Sequence, residues 1–233
     1  MSIETVEKVS VADTEPETEI ILPFEKKGEY FVESVEVEKK PFYNFVKRMF
    51  DIVASGIAMI ILLLPMLIIA IAVKCTSKGP AFYFQERLGL GGKKIKIIKF
   101  RTMYVDAEKN GAQWSAGDND DRITPFGAKL RKFRVDELPQ LWCIFKGDLS
   151  IVGPRPEREC FYNEFETYIH GFSERLKVKQ GLTGHAQVNG GYNLKPEEKV
   201  VYDVEYIKNR SLLFDLKIIF KTVKVVFTHN GAK

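Results

Sequence analysis

The sequence has few residues of the types that cross-link a chain or hold a metal. Its three cysteines, Cys75, Cys143 and Cys160, are odd in number and far apart, and no pair has metal-ligand spacing. A reducing compartment therefore fits best. The N-terminus lacks the basic region and apolar run of a signal peptide, because acidic residues stand in their place. The 233 residues suffice for one domain of good size, or for one small domain with appendages.

Basic residues are scarce at the start of the chain and abundant afterwards. Residues 1–40 contain 11 acidic against 5 basic side chains, whereas the remainder contains 30 basic against 20 acidic. The first segment lacks a sustained apolar period, so we expect an acidic tail that is disordered in isolation. A basic remainder fits nucleic acid, anionic lipid or a phosphorylated substrate as a partner. Nucleic acid is the least favoured of these, because no recognised nucleic-acid-binding motif is present.

One long segment, residues 52–73, lacks charge altogether. As a straight helix its 22 residues would be about 33 Å long, enough to cross a hydrocarbon core of about 30 Å. Pro65 stands near the middle, and basic residues flank both ends, whereas a spanning helix usually has a positive flank on one side only. We therefore predict that residues 41–78 enter the membrane, break at Leu64-Pro65 and return to the same face. A kinked spanning helix is the alternative that these features leave open.

Residues 79–233 have the pattern of a small α/β domain. Apolar residues at 82–84 and 95–97 flank a glycine-rich turn, which predicts a β-hairpin. The glycines of this turn lack the spacing of a phosphate loop. Helices are predicted over four further segments: residues 125–133, 156–170, 196–209 and 212–227. The last of these is basic and amphipathic, which suits a membrane surface, although packing on the core is nearly as compatible.

The most distinctive chemistry lies in residues 134–156. Asp136 and Glu137 are adjacent at the start of a predicted short helix, which Gly147 is suited to end. Arg155 stands between two prolines, so its backbone has little freedom. Two carboxylates and a positioned guanidinium are suitable parts for phosphoryl transfer. Alternatively, the carboxylates are ordinary capping residues, favoured by the helix dipole.

Cations precede the carboxylate pair in the sequence. Lys99 and Arg101 stand at the end of the predicted hairpin. The predicted helix before Asp136 and Glu137 has a basic face with Lys129, Arg131 and Lys132, followed by Arg134. These cations lie close in sequence to the carboxylates, so they could hold an anion or lower the pKa of the carboxylates. A solvated basic helix face is the alternative.

Together these segments resemble the bacterial polyprenyl-phosphate sugar-1-phosphate transferases, the monotopic phosphoglycosyl transferases. The resemblance covers roughly residues 44–230 and keeps the order of the family's motifs. These motifs are Lys47-Arg-x-x-Asp51, Ser77-Lys-Gly-Pro80, Phe82-Tyr-x-Gln85-Glu-Arg87, Lys99-Phe-Arg-Thr-Met103, Asp136-Glu-Leu-Pro-Gln-Leu141, Lys146-Gly-Asp148, Val152-Gly-Pro-Arg-Pro156, Gly181-Leu-Thr-Gly184 and Ala186-Gln-Val-Asn-Gly190.

The resemblance implies an α/β, mostly helical fold, in which a re-entrant membrane helix carries a small cytoplasmic catalytic domain with amphipathic helices at the membrane surface. The implied reaction moves a hexose-1-phosphate from a UDP-sugar to undecaprenyl phosphate and releases UMP. It would be the first membrane step of exopolysaccharide or capsule synthesis. The implied location is the cytoplasmic face of the bacterial inner membrane.

Roles for individual residues are also implied by the resemblance. Asp136 would be the nucleophile, giving an aspartyl-phosphosugar, and Glu137 the acid/base partner. Mg²⁺ would shield the diphosphate with Asp136 close to it. Lys99, Arg131 and Arg155 would bind the anionic substrates.

The sequence departs from the family pattern at two positions. Gln180 stands where many members have proline, and Gly191 where many have arginine, so no substrate contact is assigned near Gly191. The sugar is left open between galactose, glucose and an N-acetylated hexosamine, and a homodimer is one open oligomeric state. The competing interpretation is an inactive, membrane-tethered adaptor that binds anionic lipid or a partner protein.

Overall fold

A computed structural model of the chain describes residues 28–109, 120–191 and 194–228. Its longest element is helix α1, Pro41–Thr76, which opens on a proline as first turns allow. The 36 residues correspond to about 54 Å of helix. The predicted break at Leu64-Pro65 does not interrupt this helix, which continues through both residues. A proline removes one helical hydrogen bond and can bend a helix without ending it.

One face of α1 packs on the rest of the domain between residues 58 and 70, where partly buried apolar side chains contact two apolar clusters. These residues are Ala58, Met59, Leu62, Met66, Ile69 and Ala70. The other face leaves large apolar side chains exposed, among them Ile57, Ile60, Leu64, Leu67 and Ile71. Within the described ranges, α1 alone is long and apolar enough to cross a membrane. An exposed apolar face of this size needs a lipid or protein partner.

The predicted hairpin is confirmed. Strands β2, Phe82–Leu88, and β3, Lys94–Phe100, are antiparallel, with Phe82 opposite Phe100 and Leu88 opposite Lys94. The intervening turn places two glycines at positive φ, where residues with a Cβ are disfavoured.

The next elements carry the carboxylates. Helix α2, Pro125–Lys132, is capped by Thr124, whose side chain accepts from the backbone N–H of Gly127 at 3.0 Å. A 3₁₀ turn, Val135–Gln140, leads directly into helix α3, Leu141–Lys146. Gly147 ends α3 with φ of 102°, as its place in the sequence predicted.

The C-terminal half completes the main core. It contains the parallel pair β4, Ser150–Val152, and β6, Gly181–Thr183, together with helices α4, Glu159–Glu166, and α5, His185–Val188. Helix α6, Pro196–Asn209, confirms the predicted range, and α7 spans Leu212–Thr228. The largest apolar cluster includes Phe161, Phe165, Phe172, Val200, Val204, Ile207 and Ile218.

The helix predicted over 156–170 is too long. It ends at Glu166, and strand β5, Ile169–His170, pairs in parallel with β1, Tyr30–Phe31. The partner strand lies about 140 residues away in sequence, so a local pattern gave no signal for it.

Residues 28–40, the last part of the predicted acidic tail, contact the rest of the domain. Besides forming β1, this segment buries Val35 at 3% exposure. The backbone N–H of Val35 donates to the Glu174 carboxylate at 2.6 Å, and Lys208 pairs with Glu33 at 2.5 Å. Burial of a few apolar side chains and these long-range polar contacts order the segment despite its charge. Residues 1–27 lie outside the described part of the chain.

Candidate active site

Asp136 and Glu137 lie in the 3₁₀ turn between α2 and α3, and both are buried, at 7% and 6% exposure. Arg134, just before them, has φ of 53° and is the one non-glycine residue with positive φ in the described ranges. This conformation redirects the chain after α2 and turns the carboxylate pair inward. Arg134 occupies the N-cap position of the turn without a capping side-chain hydrogen bond, and the side-chain hydrogen bonds of Glu137 run to Lys99 and Arg155. The geometry therefore does not support the interpretation that these carboxylates are only helix caps.

Glu137 is held by two cations from distant parts of the chain. Lys99 Nζ donates to its Oε1 at 3.2 Å. Arg155 grips both carboxylate oxygens, with Nη1 donating to Oε2 at 3.3 Å and Nη2 donating to Oε1. Burial by itself would raise the pKa of Glu137, but the charges of Arg155 and Lys99 outweigh it and hold that pKa well below the usual range.

Asp136 has the opposite environment. No hydrogen bond or ion pair joins its carboxylate to another residue in the described ranges. Burial, followed by the negative charge of Glu137, raises the pKa of Asp136, although Lys99, Arg131 and Arg155 act against the shift. A carboxylate that is buried, unpaired and more basic than usual has oxygen lone pairs available for a phosphorus atom or a cation.

Contacts with Thr102, just after the β2–β3 hairpin, position the Arg131 side chain. Its Nε donates to Thr102 Oγ1 at 2.9 Å, while the Thr102 carbonyl accepts from the backbone N–H of Thr124 at 2.9 Å. Because Thr124 caps α2, these contacts tie β3, the start of α2 and the Arg131 side chain together.

A cavity of about 400 Å³ brings all five predicted site residues to one place. Asp136, Glu137, Lys99, Arg131 and Arg155 line it. Seven further cations line the cavity: Arg87, Arg101, Arg122, Arg134, Arg158, Arg175 and Lys199. Cations outnumber carboxylates in this lining, so the cavity suits a polyanionic ligand.

The sequence did not predict Arg175 as a site residue, because nothing in its local sequence distinguishes it from a surface cation. It lies in the 3₁₀ helix Phe172–Lys177, and its ion pair with Asp203, at 2.6 Å, is 1% exposed on both sides. Its Nη2 also donates to the backbone carbonyl of Arg155 at 3.1 Å. Arg175 thus fixes the backbone from which the Arg155 guanidinium reaches Glu137.

The two departures from the family pattern have different surroundings. Gln180 is fully buried, and its amide nitrogen donates to the carbonyls of Arg175 and Val178 at 2.8 and 3.0 Å. It therefore supports the loop that carries Arg175. Gly191, with φ of 58°, lines the cavity itself.

The residues of the cavity fit Mg²⁺ in the mode in which substrate phosphates supply part of the ligands. No group of three or more His, Cys, Asp or Glu side chains that could hold a metal occurs within the described ranges, so an all-protein cage is not built there. Magnesium is commonly held by one or two carboxylates plus substrate phosphates. The unpaired Asp136 carboxylate at the wall of a cationic cavity matches that mode.

The chain belongs to the bacterial sugar transferase family, whose model matches residues 42–229. This membership confirms the resemblance that the motifs indicated.

Individual relatives are similar over most of the chain. It is 41% identical over 196 residues to a UDP-N-acetylgalactosamine-undecaprenyl-phosphate N-acetylgalactosaminephosphotransferase of Aeromonas hydrophila, covering 83% of this chain and 46% of that protein. It is 42% identical over 191 residues to a UDP-glucose:undecaprenyl-phosphate glucose-1-phosphate transferase of Klebsiella pneumoniae, covering 80% and 41%. The exopolysaccharide production protein ExoY of Rhizobium meliloti is 34% identical over 217 residues, covering 87% and 95%. The chain thus spans less than half of the first two proteins and nearly all of the third.

Proposed function

We propose that the protein transfers a hexose-1-phosphate from a UDP-sugar to undecaprenyl phosphate, with release of UMP. The observation that carries this proposal is the contrast between two adjacent carboxylates in one cationic cavity: Asp136 is buried and unpaired, whereas Glu137 is held by Arg155 and Lys99. The names of the relatives, which include glucose and N-acetylgalactosamine transferases, support the same reaction class.

In the first step, a carboxylate oxygen of Asp136 attacks the sugar-linked phosphorus of the donor. The bond from that phosphorus to the bridging oxygen breaks, and UMP leaves with the electron pair, so an aspartyl-phosphosugar remains. The raised pKa of Asp136 makes its carboxylate a better nucleophile than an ordinary aspartate. Lys99, Arg131 and Arg155 neutralise the charge that develops on the phosphoryl oxygens.

In the second step, a phosphate oxygen of the lipid attacks the same phosphorus. The bond between phosphorus and Asp136 breaks, the carboxylate is regained, and the product is a lipid diphosphate bearing the sugar. We infer that phosphate groups draw Lys99 and Arg155 away from Glu137, which raises its pKa and lets it accept a proton from the lipid phosphate. Mg²⁺ bound at Asp136 would shield the charge of the diphosphate.

We also propose that α1 enters and leaves the membrane at one face. At its N-terminal end, Arg48 donates to the carbonyls of Ile144 and Phe145 at 2.7 and 2.8 Å. At its C-terminal end, Arg101 donates to the carbonyl of Ser77 at 2.8 Å. Both flanks of the apolar segment thus contact the same domain, which supports placing both flanks on one side of the bilayer. The cytoplasmic face of the inner membrane suits the free cysteines of the chain.

The test is UMP release by the purified, membrane-reconstituted protein with undecaprenyl phosphate, Mg²⁺ and a panel of UDP-sugars containing glucose, galactose and their N-acetylated amines. One or more donors should yield UMP. Asp136→Asn should lower turnover by at least about a thousandfold, as expected for loss of a nucleophile.

Asp121→Asn, which changes an exposed carboxylate outside the cavity lining, is the matched control and should keep full turnover. Full turnover in Asp136→Asn would contradict the mechanism. Absence of UMP with every donor, in folded protein, would favour the adaptor interpretation.

A further inference from the structure

Arg101 is a buried cation without a carboxylate partner in the described ranges. It is 6% exposed and lines the cavity. One guanidinium nitrogen, Nη2, donates to the carbonyl and the hydroxyl of Ser77, both at 2.8 Å. The other two nitrogens, Nε and Nη1, have no hydrogen-bond partner among the residues that the structure describes. Burying a charge without a counter-ion is costly, so the arrangement points to an anion as the missing partner.

The position of Arg101 in the fold indicates which kind of anion this partner is. Ser77 follows the last residue of α1, so the guanidinium lies where the apolar helix meets the cavity. The next residue, Thr102, holds Arg131 through its hydroxyl at 2.9 Å. A ligand at Arg101 would therefore approach from the lipid side and lie next to a residue of the proposed catalytic machinery.

Near Arg101 the rim of the cavity is apolar and exposed. Phe82, Tyr104 and Val105 line the cavity and are 39%, 47% and 69% exposed. Val105 lies close to the guanidinium, because a Cβ placed on Gly79 would be 2.2 Å from Arg101 Nη1 and 2.7 Å from Val105 Cγ2. An apolar path thus begins at the end of α1 and leads to an uncompensated positive charge.

We propose that this corner, formed by Arg101, Phe82, Tyr104 and Val105, is the acceptor subsite. The phosphate of the polyprenyl lipid binds the free nitrogens of Arg101, and the first isoprene units lie on the apolar rim. The inference rests on the proposed function and extends it by separating the acceptor subsite from the residues that hold the donor diphosphate. It follows that acceptor binding can be weakened without loss of the first chemical step.

The experiment separates the two half-reactions. Without lipid, the reconstituted protein and the preferred UDP-sugar should form UMP in a burst of one equivalent per active site. With undecaprenyl phosphate at subsaturating concentration, steady turnover should follow. We expect Arg101→Gln and Val105→Glu to keep the burst amplitude and to raise the KM for the lipid at least tenfold, since Gln removes the charge and Glu repels the phosphate. Arg101→Lys, which keeps the charge, should retain more of the lipid affinity than Arg101→Gln.

Val201→Glu is the control for Val105→Glu, because it places the same charge on an apolar residue that is 64% exposed and lies outside the cavity lining. It should leave the burst and the lipid KM unchanged.

Equal loss of burst and turnover in Arg101→Gln, together with a lower melting temperature, would show that Arg101 anchors α1 and does not form a subsite. A raised KM for the donor in Val105→Glu would assign the rim to the nucleotide and overturn the proposal. An unchanged lipid KM in both variants would also overturn it. If the wild type forms no UMP with any donor, the proposed function fails before this question is reached.

Discussion

Replacing Asp136 by asparagine should stabilise the folded protein at neutral pH, although it removes the proposed nucleophile. Burial and the neighbouring Glu137 raise the pKa of Asp136, which means that its ionised form is disfavoured in the folded state. Asparagine has nearly the same shape and no charge. A pKa raised by one unit corresponds to a cost of about 1.4 kcal/mol for the ionised form. The asparagine amide removes this cost of ionisation but is still a buried polar group, so we expect a net gain of about 1–3 kcal/mol in the free energy of unfolding.

The neighbouring substitution should act in the opposite direction. The pKa of Glu137 is held low by Arg155 and Lys99, so its charged form is favoured in the folded state. Glu137→Gln leaves these two cations without their counter-ion. Breaking a buried ion pair by removing one partner costs about 3–5 kcal/mol. Two adjacent carboxylates, each changed to its amide, should thus move stability in opposite directions.

The pH dependence of the two effects follows from the sign of each pKa shift. The cost of ionised Asp136 is absent below the unfolded-state pKa, about 3.9, and is fully present above its raised folded-state pKa. The advantage of Asp136→Asn should therefore shrink as pH falls. The stability that Glu137 contributes is present above the unfolded-state pKa, about 4.3, and is lost as pH falls through its lowered folded-state pKa.

The assay is thermal unfolding of wild type and both variants in the same detergent or nanodiscs, without Mg²⁺ or substrates, at pH 7.5 and at several lower values. For a domain of this size, 1 kcal/mol shifts Tm by about 2–4 °C. Asp136→Asn should therefore raise Tm by about 2–12 °C at pH 7.5. A lower Tm for Asp136→Asn at neutral pH, or a gain that does not shrink on acidification, would refute the assignment of an uncompensated charge to Asp136.

Three further predictions concern the reaction and the membrane. The acid limb of burst rate against pH should lie above the pKa of an ordinary aspartate, about 3.9, because Asp136 must be ionised to attack; a limb at that ordinary value would contradict its raised pKa. Arg155→Lys keeps the positive charge but loses the hydrogen bonds to both carboxylate oxygens of Glu137, so kcat should fall about tenfold to a hundredfold. An unchanged kcat would show that turnover does not depend on these two hydrogen bonds. Finally, in a variant without the native cysteines, single cysteines at Lys39 and Lys78, exposed residues flanking α1, should both react with an impermeant thiol reagent from the same side of sealed vesicles. Reaction from opposite sides would establish a spanning helix.

Local chemistry allowed several elements to be predicted from the sequence. The uncharged run predicted a long apolar helix, and α1 has the length and composition to cross a membrane. Alternating apolar residues around glycines identified the β2–β3 hairpin, and apolar spacing placed α6 at Pro196–Asn209. The adjacency of Asp136 and Glu137, and the rigid setting of Arg155, were also visible in the sequence. Each of these features depends on neighbours within about one turn or one strand.

The different states of the two carboxylates were decided by the tertiary structure alone. In sequence Asp136 and Glu137 are equivalent candidates, and either could have been the residue paired with a cation. The fold brings Lys99, 38 positions away, and Arg155, 18 positions away, to Glu137 and leaves Asp136 unpaired. The packing of residues 28–40, the support of Arg155 by Arg175, and the uncompensated charge of Arg101 are likewise long-range. Coulomb energies and desolvation depend on distances through space, which a sequence pattern does not contain until the chain has folded.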